Sequence, residues 1–157
     1  MKRLILLLSL LLVSGCEPQD RRPGLWLSGP VAPPPESWTF VNDHQEVFIE
    51  THPWYRVPHS VTVVIAEANG RVFVPSIYDE DLPFPGTKHW NANIAADPEV
   101  RVKIGGSIYE MTARPAETTE EWAEGLAALA NKYGFWRELE ADPSKRPPFV
   151  IIQLQPR

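Results

Sequence analysis

From Trp38 onward the chain alternates hydrophobic and polar positions in short bursts. Glu46-Val47-Phe48-Ile49-Glu50 is β-rich and predicts a strand, and Ser60–Ala66 (Ser-Val-Thr-Val-Val-Ile-Ala) predicts a second. Asn69-Gly70 follows; both residues tolerate positive φ, so a tight hairpin returns the chain into Arg71-Val72-Phe73-Val74. A loop rich in proline and aspartate is expected over residues 75–86. Thr87 is placed to cap a short helix in which Trp90 and Ile94 lie one turn apart, and Asp97-Pro98 ends it. Val100, Val102 and Ile104 then alternate with Arg101 and Lys103, a half-buried strand that Gly105-Gly106 turns into another over 107–114.

At Thr118 the period changes from two to that of a helix. Thr118 with Glu121 forms a capping box. Trp122, Leu126, Leu129, Ala130 and Tyr133 make one helical stripe, read as core packing, with Gly134 at the position that closes the helix. Residues 142–148 read as a loop and Phe149–Leu154 as a closing strand. Six short antiparallel strands with two inserted helices predict an α+β domain built as a small barrel.

The first 37 residues follow a different pattern. Lys2 and Arg3 precede an apolar run, Leu4 to Val13, broken only by Ser9. About ten apolar residues fall short of the roughly 20 needed to span a bilayer. The run reads instead as the hydrophobic part of a signal peptide, ending at the small residues Ser14-Gly15. Val13-Ser14-Gly15-Cys16 resembles the lipobox of bacterial lipoproteins, which implies cleavage before Cys16 and a lipid on its thiol. By the same resemblance, Glu17 after the cysteine directs the protein to the outer membrane of a host that has one, with the domain outside the cytoplasm. Residues 17–36 carry six prolines and read as an extended spacer of up to about 60 Å, interrupted by Trp26 and Leu27, which are expected to touch either the domain or the lipid surface. The expected organisation is thus a signal peptide over 1–15, a lipidated Pro-rich tether over 16–37 and a domain over 38–157.

Composition narrows the function. Cys16 is the sole cysteine, so no internal disulfide forms and the fold rests on its hydrophobic core. Removing residues 1–15 takes away two basic residues and leaves 142 residues with a formal charge of −7. A negative body is a poor partner for nucleic acid and for anionic headgroups, so membrane attachment is expected through the acylated Cys16. His44, His52, His59 and His89 lack the helical pairing of a metalloprotease, and no metal site is expected. No nucleophile elbow, Walker loop or dinucleotide glycine fingerprint occurs.

Thr87-Lys88-His89-Trp90-Asn91-Ala92-Asn93-Ile94, followed by Ala96-Asp97-Pro98-Glu99-Val100 and Gly105-Gly106, resembles a signature of the split β-barrel flavoproteins. This is the pyridoxamine 5'-phosphate oxidase-like superfamily, and the branch it is most similar to is the deazaflavin-dependent nitroreductases. The resemblance covers about residues 44–155. It implies a six-stranded antiparallel split β-barrel with two helices, a dimer, and a deazaflavin coenzyme or FMN held in a groove between subunits for oxidation or reduction of a small molecule. The phosphate ligands it points to are Arg56, His59, Ser60, Thr62, Ser76, Thr87 and Lys88, since phosphate is held by charge-assisted and hydroxyl donors. Asn91 lies in the same signature. Trp90 and Trp54 offer ring faces, and Trp90 serves equally as core. The chain departs from the branch in two places. Pro53-Trp54-Tyr55-Arg56-Val57-Pro58-His59 stands where the branch has a Gly-Arg-Lys-Ser-Gly-like loop, and Tyr78-Asp79-Glu80-Asp81 brings acids to a glycine-rich segment. Two readings follow: a flavin- or deazaflavin-dependent oxidoreductase of nitroreductase type at the cell envelope, or a degenerate, non-catalytic split barrel that binds a small ligand or a partner protein there.

Overall fold

The structure is a computed structural model, and it describes residues 24–77 and 90–157. Cys16, the acidic run 79–81, Thr87 and Lys88 lie outside the described residues.

Seven strands form one antiparallel sheet: β1 (Glu46–Thr51), β2 (His59–Val64), β3 (Ala66–Ala68), β4 (Arg71–Ile77), β5 (Glu99–Ile104), β6 (Ser107–Pro115) and β7 (Phe149–Pro156). Their order is β2-β1-β5-β6-β7-β4-β3. Among the described residues three α-helices accompany the sheet: α1 (Trp90–Ala96), α2 (Thr119–Lys132) and α3 (Gly134–Ala141). Short 3-10 turns occupy Thr39–Asp43 and Pro143–Lys145. The expected split-barrel class stands, with one strand and one helix more than expected.

The extra strand has a local cause. The expected run Ser60–Ala66 breaks at Ile65, between β2 and β3. Tyr133 Oη accepts from the Ile65 amide at 3.2 Å, and Lys132 Nζ donates to the Ile65 carbonyl at 2.8 Å. With both backbone groups satisfied by side chains, Ile65 leaves the ladder without leaving a polar group unpaired. The extra helix arises at Gly134. The preceding helix ends with Tyr133 in an extended conformation, and Gly134 opens α3 instead of closing α2. β4 also runs past Val74 through Pro75, where a loop was expected. β3 pairs only with Arg71–Phe73, so beyond that point β4 has one open edge, where a missing N–H is tolerated.

Alternation along the strands divides the apolar side chains between two cores. Val47 and Ile49, Val100 and Val102, Met111 and Ala113, Ile152 and Leu154, and Val72 and Val74 fill the barrel interior with Trp90 and Ile94 of α1. On the opposite face, Phe73 and Ile151 pack under Leu126 and Leu129 of α2 and Trp136 and Leu139 of α3. Gly125 lets α2 approach closely: a Cβ there would lie 2.4 Å from Ile151 Cγ2. Thr118 caps α2 by accepting from the Glu121 amide at 3.1 Å, as the capping box predicted.

Part of the proline-rich stretch expected as spacer lies on the domain. The Gly24 amide donates to Ser60 Oγ on β2, and the Ser60 amide returns a bond to the Gly24 carbonyl. The Leu27 amide donates to Glu50 on β1, and Arg101 on β5 donates to the Leu27 carbonyl. Pro30 and Ala32 bond both backbone groups of Ile108, making a parallel bridge along the part of β6 that β7 does not reach. Residues 24–32 therefore strap four adjacent strands. Leu27 is buried beneath the strap, and Trp26 beside it is half exposed.

Candidate functional site

The barrel end where β1 stops, β2 starts and α1 begins collects the polar groups of interest. Residues 53–58 link β1 to β2. Their backbone turns at Arg56, whose amide donates to the Pro53 carbonyl at 2.8 Å and whose φ is +60°. Only glycine adopts that region without cost, so the loop keeps a glycine-like shape with an arginine in it. Strain of this kind, about 1 kcal/mol or more, is retained where neighbours enforce it. Trp54 is 90% exposed and stands edge-on to Tyr55 at 5.4 Å. Tyr55 Oη lies 2.6 Å from His59 Nε2, which ties the loop to the first residue of β2.

His59 pairs with Thr51 across the β1–β2 ladder. Thr51 is fully buried, and its hydroxyl accepts from Asn93 Nδ2 at 3.0 Å, which anchors α1 against the end of β1. Two buried polar atoms here have no partner among the described residues, Ser76 Oγ and Asn91 Oδ1. Ser76 continues the inward row of Val72 and Val74, and Asn91 follows the buried Trp90. A buried polar atom left unbonded costs roughly 1–3 kcal/mol. A ligand group that bonded either atom would recover that cost.

The sequence-predicted ligands do not all converge. His59, Ser76, Trp90 and Asn91 belong to the interior or its end, and Arg56 stands exposed at the rim. Ser60 and Thr62 lie on the outer face, because neighbouring strand residues point to opposite sides. Ser60 is further committed to the strap through Gly24. The convergent set is thus smaller than expected, and sequence reasoning missed Tyr55, Thr51 and Asn93, which position it. Tyr55 stood inside the departing loop 53–59, the only signal available.

Outside this end, Glu50 is 1% exposed and accepts from Arg101 Nη1 at 3.1 Å, with His52 Nε2 at 3.7 Å. Burial pushes the Lys132 ammonium below its ordinary value, and it donates to three backbone carbonyls, of Val41, His44 and Ile65. Both groups hold backbone segments together. Among the described residues no group of three His, Cys, Asp or Glu is arranged to hold a metal ion.

Residues 60–143 match the family of F420H2-dependent quinone reductases. The chain belongs to that family. The match begins at β2 and carries Ser76, α1 and the two hairpin strands β5 and β6; the loop 53–58, Thr51 and His59 lie just before it. Solved structures agree on the fold. HutZ, a heme storage protein from Vibrio cholerae, superposes with a TM-score of 0.57 at 15% identity, over 75% of this chain and 85% of that one. A chain described as a domain-swapped dimer gives 0.56 at 21% identity, over 71% and 80%. An F420-H2 dependent reductase gives 0.50 at 21% identity, over 69% and 94%. No curated protein sequence matches this chain.

Proposed function

We propose that this F420H2-dependent quinone reductase family member is a deazaflavin-dependent oxidoreductase that binds its coenzyme at the α1 end of the barrel and works tethered to a membrane through acylated Cys16. The observation that carries the reading is the pair of orphaned buried atoms, Ser76 Oγ and Asn91 Oδ1, within the family match. A tricyclic deazaflavin presents ring carbonyls and an N–H that suit both, beside the aromatic Trp90. Arg56 and His59 at the rim suit an anionic tail, and Thr87 and Lys88 of the resembling signature join them in the proposal. When bound, the reduced coenzyme supplies hydride; the protein's part is to hold and orient it and to keep water from the ring. The family's name makes a quinone the first acceptor to test. A homodimer accords with the neighbour described as a domain-swapped dimer.

The second reading, a non-catalytic split barrel binding a small ligand or protein partner, is favoured by the glycine-free loop 53–59. Mixing the protein with reduced deazaflavin coenzyme and a soluble quinone separates the two. Return of the oxidised coenzyme's absorbance above the protein-free rate supports the first. Binding of the coenzyme without turnover on any quinone tried supports the second.

A further inference from the structure

The strap and the 53–58 loop present an exposed apolar patch that borders the proposed coenzyme site only at Tyr55 and Arg56. Leu25 and Trp26 follow Gly24 directly, and they are 41% and 51% exposed. Trp54, Tyr55 and Val57 stand exposed on the loop. The two stretches are tied together, because Gly24 is bonded to Ser60 and the adjoining His59 is bonded to Tyr55. A tryptophan 90% exposed on a turned loop is unusual for a surface that meets only water.

We infer that this patch is a bilayer-docking surface, whose occupant is the headgroup and upper acyl region of a phospholipid membrane. Charge is the first argument. The chain has 20 carboxylates, yet residues 51–66 contain none and carry Arg56, and residues 24–35 contain none. The patch is the part of a negative protein that anionic headgroups do not repel. Chemistry is the second. Trp and Tyr, apolar bodies with a polar edge, are the residues that settle at the membrane–water interface. Reach is the third. The described chain starts at Gly24, which is fixed to β2, and only residues 17–23 separate it from Cys16. Fully extended, that stretch spans at most about 28 Å. A domain of this size is roughly 35 Å across. A lipid on Cys16 therefore keeps the Gly24 side of the domain nearest the bilayer, and Leu25, Trp26 and the loop beside Ser60 are on that side.

The inference rests on the anchoring of Cys16, and the experiment keeps the two apart. The full chain, isolated with its native N-terminus, is reconstituted into phosphatidylcholine–phosphatidylglycerol vesicles with brominated acyl chains, which quench tryptophan on contact. Flotation of the vesicles reads the anchor; quenching of tryptophan emission reads the docking. The expected result is flotation with quenching that falls in Trp54→Ala, where Trp26 still reports, and is lost when Trp26→Ala is added, while flotation persists. Trp54 is 90% exposed and its ring contact among the described residues is with Tyr55, so the variant keeps its melting temperature. Flotation with no quenching, or with quenching equal in Trp54→Ala, overturns the docking surface and leaves the anchor standing. Failure to float with no quenching overturns both. A concentration-dependent dimer that Trp54→Ala abolishes, without quenching, assigns the patch to a second copy of the chain and overturns the lipid assignment.

Discussion

Glu50→Ala tests what holds the strap. The carboxylate is 1% exposed and has two kinds of partner: Arg101 Nη1, at 3.1 Å and 3.3 Å from its two oxygens, and the Leu27 amide. Removing one member of a buried pair costs about 3–5 kcal/mol, because the other is left charged and unpaired. The Arg101 side chain is a quarter exposed, so water recovers part of that, and about 2 kcal/mol is the fitting share. The unpaired Leu27 amide adds about 1 kcal/mol. A total near 3 kcal/mol corresponds to a fall of about 10 °C in melting temperature for a domain of this size. Calorimetry measures that fall, and hydrogen exchange at Leu27 reports release of the strap. A variant melting within about 2 °C of the parent, with Leu27 as protected as before, refutes the assignment of Glu50 as the strap's anchor.

Three further perturbations probe separate parts of the account. Gly125→Ala gains about 1 kcal/mol of helix propensity but drives a Cβ to 2.4 Å from Ile151 and 2.9 Å from Phe73, so overpacking of about 1–3 kcal/mol wins and the urea midpoint falls; an unchanged midpoint contradicts the close approach of α2. Ser76→Ala removes an orphaned hydroxyl, so the fold gains up to about 1 kcal/mol while coenzyme affinity drops by a similar amount; thermal melts and binding titrations should move in opposite directions, and parallel changes would remove Ser76 from the site. The hydrogen bond from Arg114 holds Glu121 down from its ordinary 4.5 to about 2. A depressed carboxylate stabilises the fold above pH 4.5 and loses that contribution as pH falls through 2. The stability gap between wild type and Glu121→Gln should therefore close between those values, and a gap independent of pH would show the ion pair to be idle.

Most of the fold was legible because it rests on local periodicity. The alternation in 100–104, the Asn69-Gly70 turn and the α2 stripe each appear where their pattern placed them. The misses share one cause, partners distant in sequence. Nothing near Ile65 announces that Lys132 and Tyr133 will take its backbone out of the ladder. Nothing in a proline-rich run announces that Glu50, Arg101 and the open edge of β6 will bind it. An extended chain carries unpaired amides and carbonyls, and composition alone does not show which surface will satisfy them. The site was legible by residue type and less so by direction. Listing His59 beside Ser60 and Thr62 overlooked the period of two that sends them to opposite faces.

The central claim is that the α1 end of the barrel holds a deazaflavin. Its most direct test is a fluorescence titration of the protein with the oxidised coenzyme, with FMN in parallel. The account predicts saturable deazaflavin binding well below a millimolar dissociation constant, displaced little by FMN. No saturation tighter than about a millimolar, roughly −4 kcal/mol, contradicts it.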